Sequence, residues 1–311
     1  MSYAHPSLMP PFSRPPSRVA IVRAERYDQD LTGILFQAIK GYSSIFQDTS
    51  VLLKPNFVEP DPGGIINTHP AVVAAAREAF LRLGAKSVRI AEGPGHERDS
   101  EAILETLRLR DYLGPLQDIF VDLNLDEVRA VDLRTRASKL KQLCFPRTVL
   151  ESEFVVSMPK LKTHHWVGAT LSLKNMFGIV PGCCYGWPKN ILHWAGIVES
   201  ILDINSTIRP DFAIVDGIIG MEGNGPIQGS PKASGVLILG SDPVAVDATC
   251  ARVMGFAPGR IDYLAKAGAL LGHIQPEKIE QIGERVESVA TRFAVLPAFK
   301  KLVAPNGRNT P

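Results

Sequence analysis

The chain has 311 residues, 45% of them apolar and 21% charged, a balance that supplies a sizeable core without disulfides or structural metals. Lys and Arg number 34 against 32 Asp and Glu, a formal charge of +2, which excludes the strongly basic surface of a nucleic-acid binder. No apolar run reaches the roughly 18 residues of a membrane-spanning helix.

Residues 1–17 are rich in proline and lack the apolar centre of a secretory signal, so a disordered tail is expected there. The segment 18–22 (RVAIV) opens the folded part. Five further nearly continuous apolar runs follow, at 49–53 (TSVLL), 87–91 (SVRIA), 154–157 (FVVS), 212–215 (FAIV) and 235–239 (GVLIL). Such runs suit strands buried on both faces of a parallel sheet. Helical patterns lie between them: 70–83 starts at Pro70 and stops before Gly84, and 100–107, 191–207 and 243–254 read similarly. Alternation at this length predicts an α/β fold, a parallel or mixed central sheet flanked by helices. The charged stretch 108–150 is expected to form a small inserted subdomain within a main domain over 18–285. Residues 286–311 are expected to form a C-terminal helix and tail, with the amphipathic part 289–302 packing on its own domain. The cysteines Cys144, Cys183, Cys184 and Cys250 show no paired spacing, which fits a reducing cytoplasm.

Ligands of open α/β sheets bind beyond the carboxyl ends of the strands. Lys54-Pro-Asn56 follows the second run, Glu92-Gly-Pro-Gly95 the third, and Lys160-Leu-Lys162-Thr-His164-His165 the fourth. Asp216-Gly217 and Glu222 follow the fifth, Asp242 and Asp247 the last. If the sheet is parallel, these groups converge on one edge. Several lysines facing one cleft repel unless acids or an anionic ligand balance them. Surplus carboxylates make oxygen sites for hard divalent cations, and histidines serve proton transfer near neutral pH.

Six ordered segments carry a family resemblance. They are Lys54-Pro-Asn56, Pro159-Lys-Leu-Lys-Thr-His164, Leu173-Lys-Asn-Met-Phe-Gly178, Asp216-Gly217, Glu222-Gly-Asn-Gly-Pro226 and Ser241-Asp-Pro-Val-Ala-Val-Asp247. From about residue 51 to 255 the chain resembles the DUF362 family. That family implies no defined activity. Some of its members carry an appended ferredoxin-type iron–sulfur module, but this sequence has no C-x₂-C-x₂-C run, so no cluster is expected. The glycine loop at 222–229 reads as an anion-binding nest or as a tight turn. Without a Walker A motif or a helix-opening G-x-G-x-x-G, neither ATP nor NAD is expected. Cys183-Cys184 reads as a reactive or metal-binding pair, or as loop filler. The segment 180–194 reads as a pocket wall carrying Trp187.

The leading expectation is an enzyme acting on a small anionic, carboxylate-bearing substrate by lyase, isomerase or cyclase chemistry. Lys54, Asn56, Lys160, Lys162, Asn175 and Trp187 would bind the substrate. His164, His193, Lys174 and Glu92 would carry the catalysis, and Asp216, Glu222 and Asp242 would hold a divalent metal ion. The expected partner is a small anion rather than nucleic acid or membrane, and the oligomeric state is open. Two alternatives remain: a redox-linked or metal-handling protein, and a non-catalytic ligand-binding module.

Overall fold

The structure, a computed structural model, describes residues 15–95 and 99–304. Most of the expected tail at 1–17, and residues 305–311 at the other end, lie outside the described residues. Among the described residues twelve strands form, in chain order. They are β1 (Ser17–Arg23), β2 (Ser50–Pro55), β3 (Ser87–Glu92), β4 (Phe120–Asp122), β5 (Val128–Asp132), β6 (Gln142–Pro146), β7 (Phe154–Met158), β8 (Lys160–His164), β9 (Gly168–Thr170), β10 (Phe212–Asn224), β11 (Gln228–Gly240) and β12 (Ile279–Gly283).

Ten of them make one sheet in the order β12-β1-β11-β10-β7-β2-β3-β4, with β8 paired to β10 and β9 to β8. The neighbours β10, β7, β2, β3 and β4 run parallel. Their apolar residues, Leu52, Leu53, Ile90, Val156 and Ile214 among them, are almost wholly buried, because helices cover both faces as crossovers require. The helix Pro70–Arg82 shows the local logic. His69 caps it by accepting from the Ala71 N–H, proline occupies its first turn, and Val72, Val73, Ala76 and Phe80 form its buried face.

The exception is β11, which pairs antiparallel with both β10 and β1. Its apolar end therefore points to the opposite edge of the sheet from the ends of β2, β3, β7 and β8. Of the segment 108–150, residues 120–122 join the main sheet as β4, so the inserted piece is only the β5–β6 hairpin. The C-terminal part makes a short helix, Val286–Val289, and a 3₁₀ segment, Pro297–Leu302. Phe293 and Leu302 are buried against the core, so this stretch packs on its own domain. Among the described residues no helix is long and apolar enough to cross a membrane.

Candidate functional site

The chain moves outward from β2 to β3 and β4 on one side, then returns to β7 and β10 on the other. This reversal at the β2/β7 boundary opens a crevice beyond the carboxyl ends of the strands. A cavity of about 640 Å³ lies there, walled by residues of the loops after β2 and β3, by β8, and by the segments around 174–178 and 188–193. Side chains alternate along a strand, so β8 turns Lys160, Lys162 and His164 to one face. Lys162 and His164 line the cavity, whereas Lys160 is spent elsewhere.

Four lysines reach this cavity: Lys54, Lys162, Lys174 and Lys189. Lys54 is fully buried, and its Nζ donates to Glu92 Oε2 at 2.8 Å, to the Pro55 carbonyl and to Asn175 Oδ1 at 2.9 Å. The Glu92 carboxylate also accepts from the N–H groups of Phe57 and Gly93. A Cβ on Gly178 would run into both the Glu92 carboxylate and the Lys54 ammonium, which is why this turn carries glycine. Glu92 thus accepts from three donors and anchors these loops where an acid–base group was expected, and Asn175 spends its amide on Lys54 and Ser157.

Among the described residues the other three lysines form no ion pair with a carboxylate. Lys162, wholly buried, donates to the Ile66 carbonyl at 2.8 Å. Lys189 donates to the carbonyls of Gly93 and Gly178. The half-buried Lys174 sets its Nζ 3.8 Å from the centre of the Phe177 ring, and among the described residues it makes no hydrogen bond. Burial lowers the Lys162 amine to about 7, helped by the charges of Lys160, Lys174 and Lys54. It brings Lys174 to about 7 as well, with Lys54 and Lys189 adding repulsion. Lys189 falls to about 7 chiefly through burial.

The histidines at the cavity differ in their proton placement. The Trp166 N–H donates to His164 Nδ1 at 3.0 Å, so neutral His164 carries its proton on Nε2. Burial, and then the charge of Lys174, hold it neutral well below the usual imidazole range. His165 Nδ1 faces the Gly225 carbonyl at 2.8 Å, so Nδ1 carries a hydrogen and the neutral tautomer has its lone pair on Nε2. The ring centroids stand 5.1 Å apart, placing a donor and an acceptor imidazole side by side at the cavity wall. His193 packs edge-on to Trp166 at 5.0 Å. Asn56 Oδ1 and Thr170 Oγ1, buried in the lining, find no hydrogen-bond partner among the described residues.

The remaining expected site residues lie elsewhere. Lys160 pairs with Asp216 at 2.8 Å, both wholly buried, and Tyr27 completes the network by donating to Asp216 and accepting from Lys160. Glu222 contacts Lys232 and the Ala294 N–H. The expected return of its loop towards Asp216 does not occur: both residues lie in β10, where Asp216 pairs with Lys160 while Glu222 turns to Lys232 and the Ala294 N–H. Asp242, carried to the far edge by antiparallel β11, caps the helix Pro243–Val253 and meets Ser17 and His273. The expected cation ligands are therefore dispersed. Among the described residues no group of three or more His, Cys, Asp or Glu is placed to hold a metal ion. Trp187 packs on Gly182 outside the lining, and Trp166 supplies the indole there instead. Cys183 and Cys184 are exposed, with sulfurs 4.0 Å apart, and form no part of the lining. The 222–229 loop is a hairpin turn, Asn224 facing Gln228.

Sequence reasoning missed Lys189 and gave His165 no role. Lys189 follows Pro188 in a loop without periodicity, and its left-handed backbone, φ 64°, leaves no trace in residue type. His165 had a signal, its place in the Lys-Leu-Lys-Thr-His-His run, but only the Gly225 carbonyl decides which nitrogen is free.

The profile "Domain of unknown function (DUF362)" matches residues 51–252. The "Thylakoid-associated protein sll1697" of Synechocystis sp. is 30% identical over 221 residues, which cover 69% of this chain and 66% of that protein. This chain thus spans just under two thirds of that relative. Among solved structures, the lactate racemase apoprotein from Thermoanaerobacterium thermosaccharolyticum has a TM-score of 0.47 at 12% identity, covering 78% of this chain and 57% of its own. A Thermotoga maritima protein has a TM-score of 0.38 at 13% identity, covering 74% and 59%. At these values neither structure carries an argument about activity.

Proposed function

This chain belongs to the DUF362 family, and on that premise we propose that its cavity binds a small carboxylate-bearing anion and moves a proton on it. One observation carries the reading. Four lysines line a single cavity, and the Glu92 carboxylate is already committed to one of them. Buried ammonium groups without counter-charges are costly, and an incoming carboxylate supplies the missing charge. Lys162 and Lys189 hold the anion with Lys174 beside it, Asn56 and Thr170 meet its polar atoms, and Phe57, Trp166 and Phe177 enclose its carbon frame. His165, with the Nε2 lone pair, takes a proton, and His164 donates a hydrogen bond from Nε2–H. The reading needs no step through a metal ion, since the acids expected to ligate one lie apart.

The test combines binding with exchange. Malate, succinate and pyruvate should raise the melting temperature, and their uncharged amides should not. In D₂O, NMR should show deuterium entering a bound carboxylate next to a functional carbon, and His165→Asn should abolish this while leaving binding intact. Binding with no exchange across a broad set of carboxylates would reduce the protein to a ligand-binding module.

A further inference from the structure

Among the four lysines one is different. Lys54 is locked by three acceptors, Lys162 by the Ile66 carbonyl, and Lys189 by two carbonyls. Lys174 meets only the face of Phe177, and among the described residues no acceptor holds its protons. It rises from the short helix Ser172–Asn175, whose first N–H groups are pinned by Asp247: Ser172 N at 2.8 Å and Leu173 N at 3.0 Å. The base of the side chain is therefore fixed while its amine faces the cavity. The ring face favours the ammonium, but the neighbouring Lys54 and Lys189 charges and the low-dielectric wall oppose it.

We propose that Lys174 is a nucleophilic amine that condenses with the carbonyl carbon of a 2-oxo acid held in this cavity. The inference rests on the anion-binding reading above and names its substrate class. A 2-oxo acid places a carbonyl next to its carboxylate, so a molecule whose carboxylate is held by Lys162 or Lys189 presents an electrophilic carbon inside the same enclosure. The Lys174 lone pair forms the C–N bond as the C=O π pair moves to oxygen, which takes a proton to give a carbinolamine. Nitrogen then loses a proton, and hydroxide leaves as water on protonation, yielding the protonated imine. No oxidant or reductant is consumed, and one water is released. An amine brought to about 7 by burial and by like charges is largely unprotonated at pH 8, as addition requires. The imine acidifies the adjacent C–H, giving the lone pair of His165 a proton to take.

The whole chain is incubated at pH 8 with pyruvate and sodium cyanoborohydride, then digested and mapped by mass spectrometry. One reduced adduct per chain is expected, on Lys174. Succinate, which has no carbonyl, should compete with its formation and form none itself. Lys174→Met and Lys174→Arg should each lose the adduct, and melting curves of both report whether they fold. The wild-type map decides the question even if neither does. An adduct confined to other lysines, or no adduct while pyruvate still raises the melting temperature, overturns the nucleophile but leaves the anion site standing. If neither pyruvate nor succinate shifts the melting temperature and no adduct forms, the anion-binding reading fails as well.

Discussion

At the scale of single residues, the site separates two kinds of buried lysine. Lys54 and Lys160 have carboxylate partners, Glu92 and Asp216, and hold the structure; among the described residues Lys162, Lys174 and Lys189 form no ion pair. Removing one member of a buried pair strands the other, so Asp216→Asn should lower stability by about 3–5 kcal/mol in chemical denaturation. Gly178→Ala should cost a similar amount, because its Cβ would push Glu92 and Lys54 apart. Lys162 behaves oppositely. It is wholly buried, and its ammonium rests on a backbone carbonyl. Lys162→Met should leave the unliganded protein at least as stable at pH 7 while abolishing the melting shift with malate. A large loss of stability in that variant would make Lys162 a structural group.

At the scale of elements, the two acids of the Ser241–Asp247 segment are helix caps. Asp242 accepts from the Val244 and Ala245 N–H groups of the helix Pro243–Val253. Asp247, one turn on, accepts from Ser172 and Leu173 and so caps the short helix bearing Lys174. Asp247→Ala should cost about 2 kcal/mol and also weaken carboxylate binding, because it loosens the base of Lys174. Asp242→Ala should cost about 1 kcal/mol with no change in carboxylate affinity, since it sits at the far edge of the sheet. Equal loss of affinity in both variants would contradict this division. The reason the sequence points the wrong way for Asp242 is plain: an apolar run such as 235–239 reads the same whichever way the strand runs. Only the hairpin through Gly225-Pro226-Ile227, which forces β11 antiparallel to β10, reveals the direction. Where the strands are parallel, at β2, β3 and β7, the edge reached by the residues after them was legible, although Lys160 after β7 pairs with Asp216 away from the cavity. Lys54, Glu92, Lys162 and His164 do converge. The roles of Lys189 and His165 were not legible, because they depend on carbonyls distant in sequence.

For the whole molecule, the uncompensated lysines make a pH signature. Their folded values near 7 lie below the ordinary 10.5, so between about pH 7 and 10 the unfolded chain binds more protons than the folded one. Stability contributed by these groups therefore rises with pH through that window and is lost as pH falls towards 7. Lys162→Met should flatten the rise by up to about 1.4 kcal/mol per pH unit between pH 8 and 9, measured by urea unfolding. An anion that pairs with the lysines reverses the linkage, drawing protons onto amines that the empty cavity leaves neutral. Titration calorimetry of succinate at pH 8, repeated in Tris and in HEPES, reads this directly, because a ligand without a carbonyl cannot condense with Lys174. The account predicts net proton uptake of about one or more per succinate bound by the wild-type chain, and no heat of binding in Lys162→Met. Succinate binding with the same heat in both buffers, or no binding of any carboxylate, would contradict it.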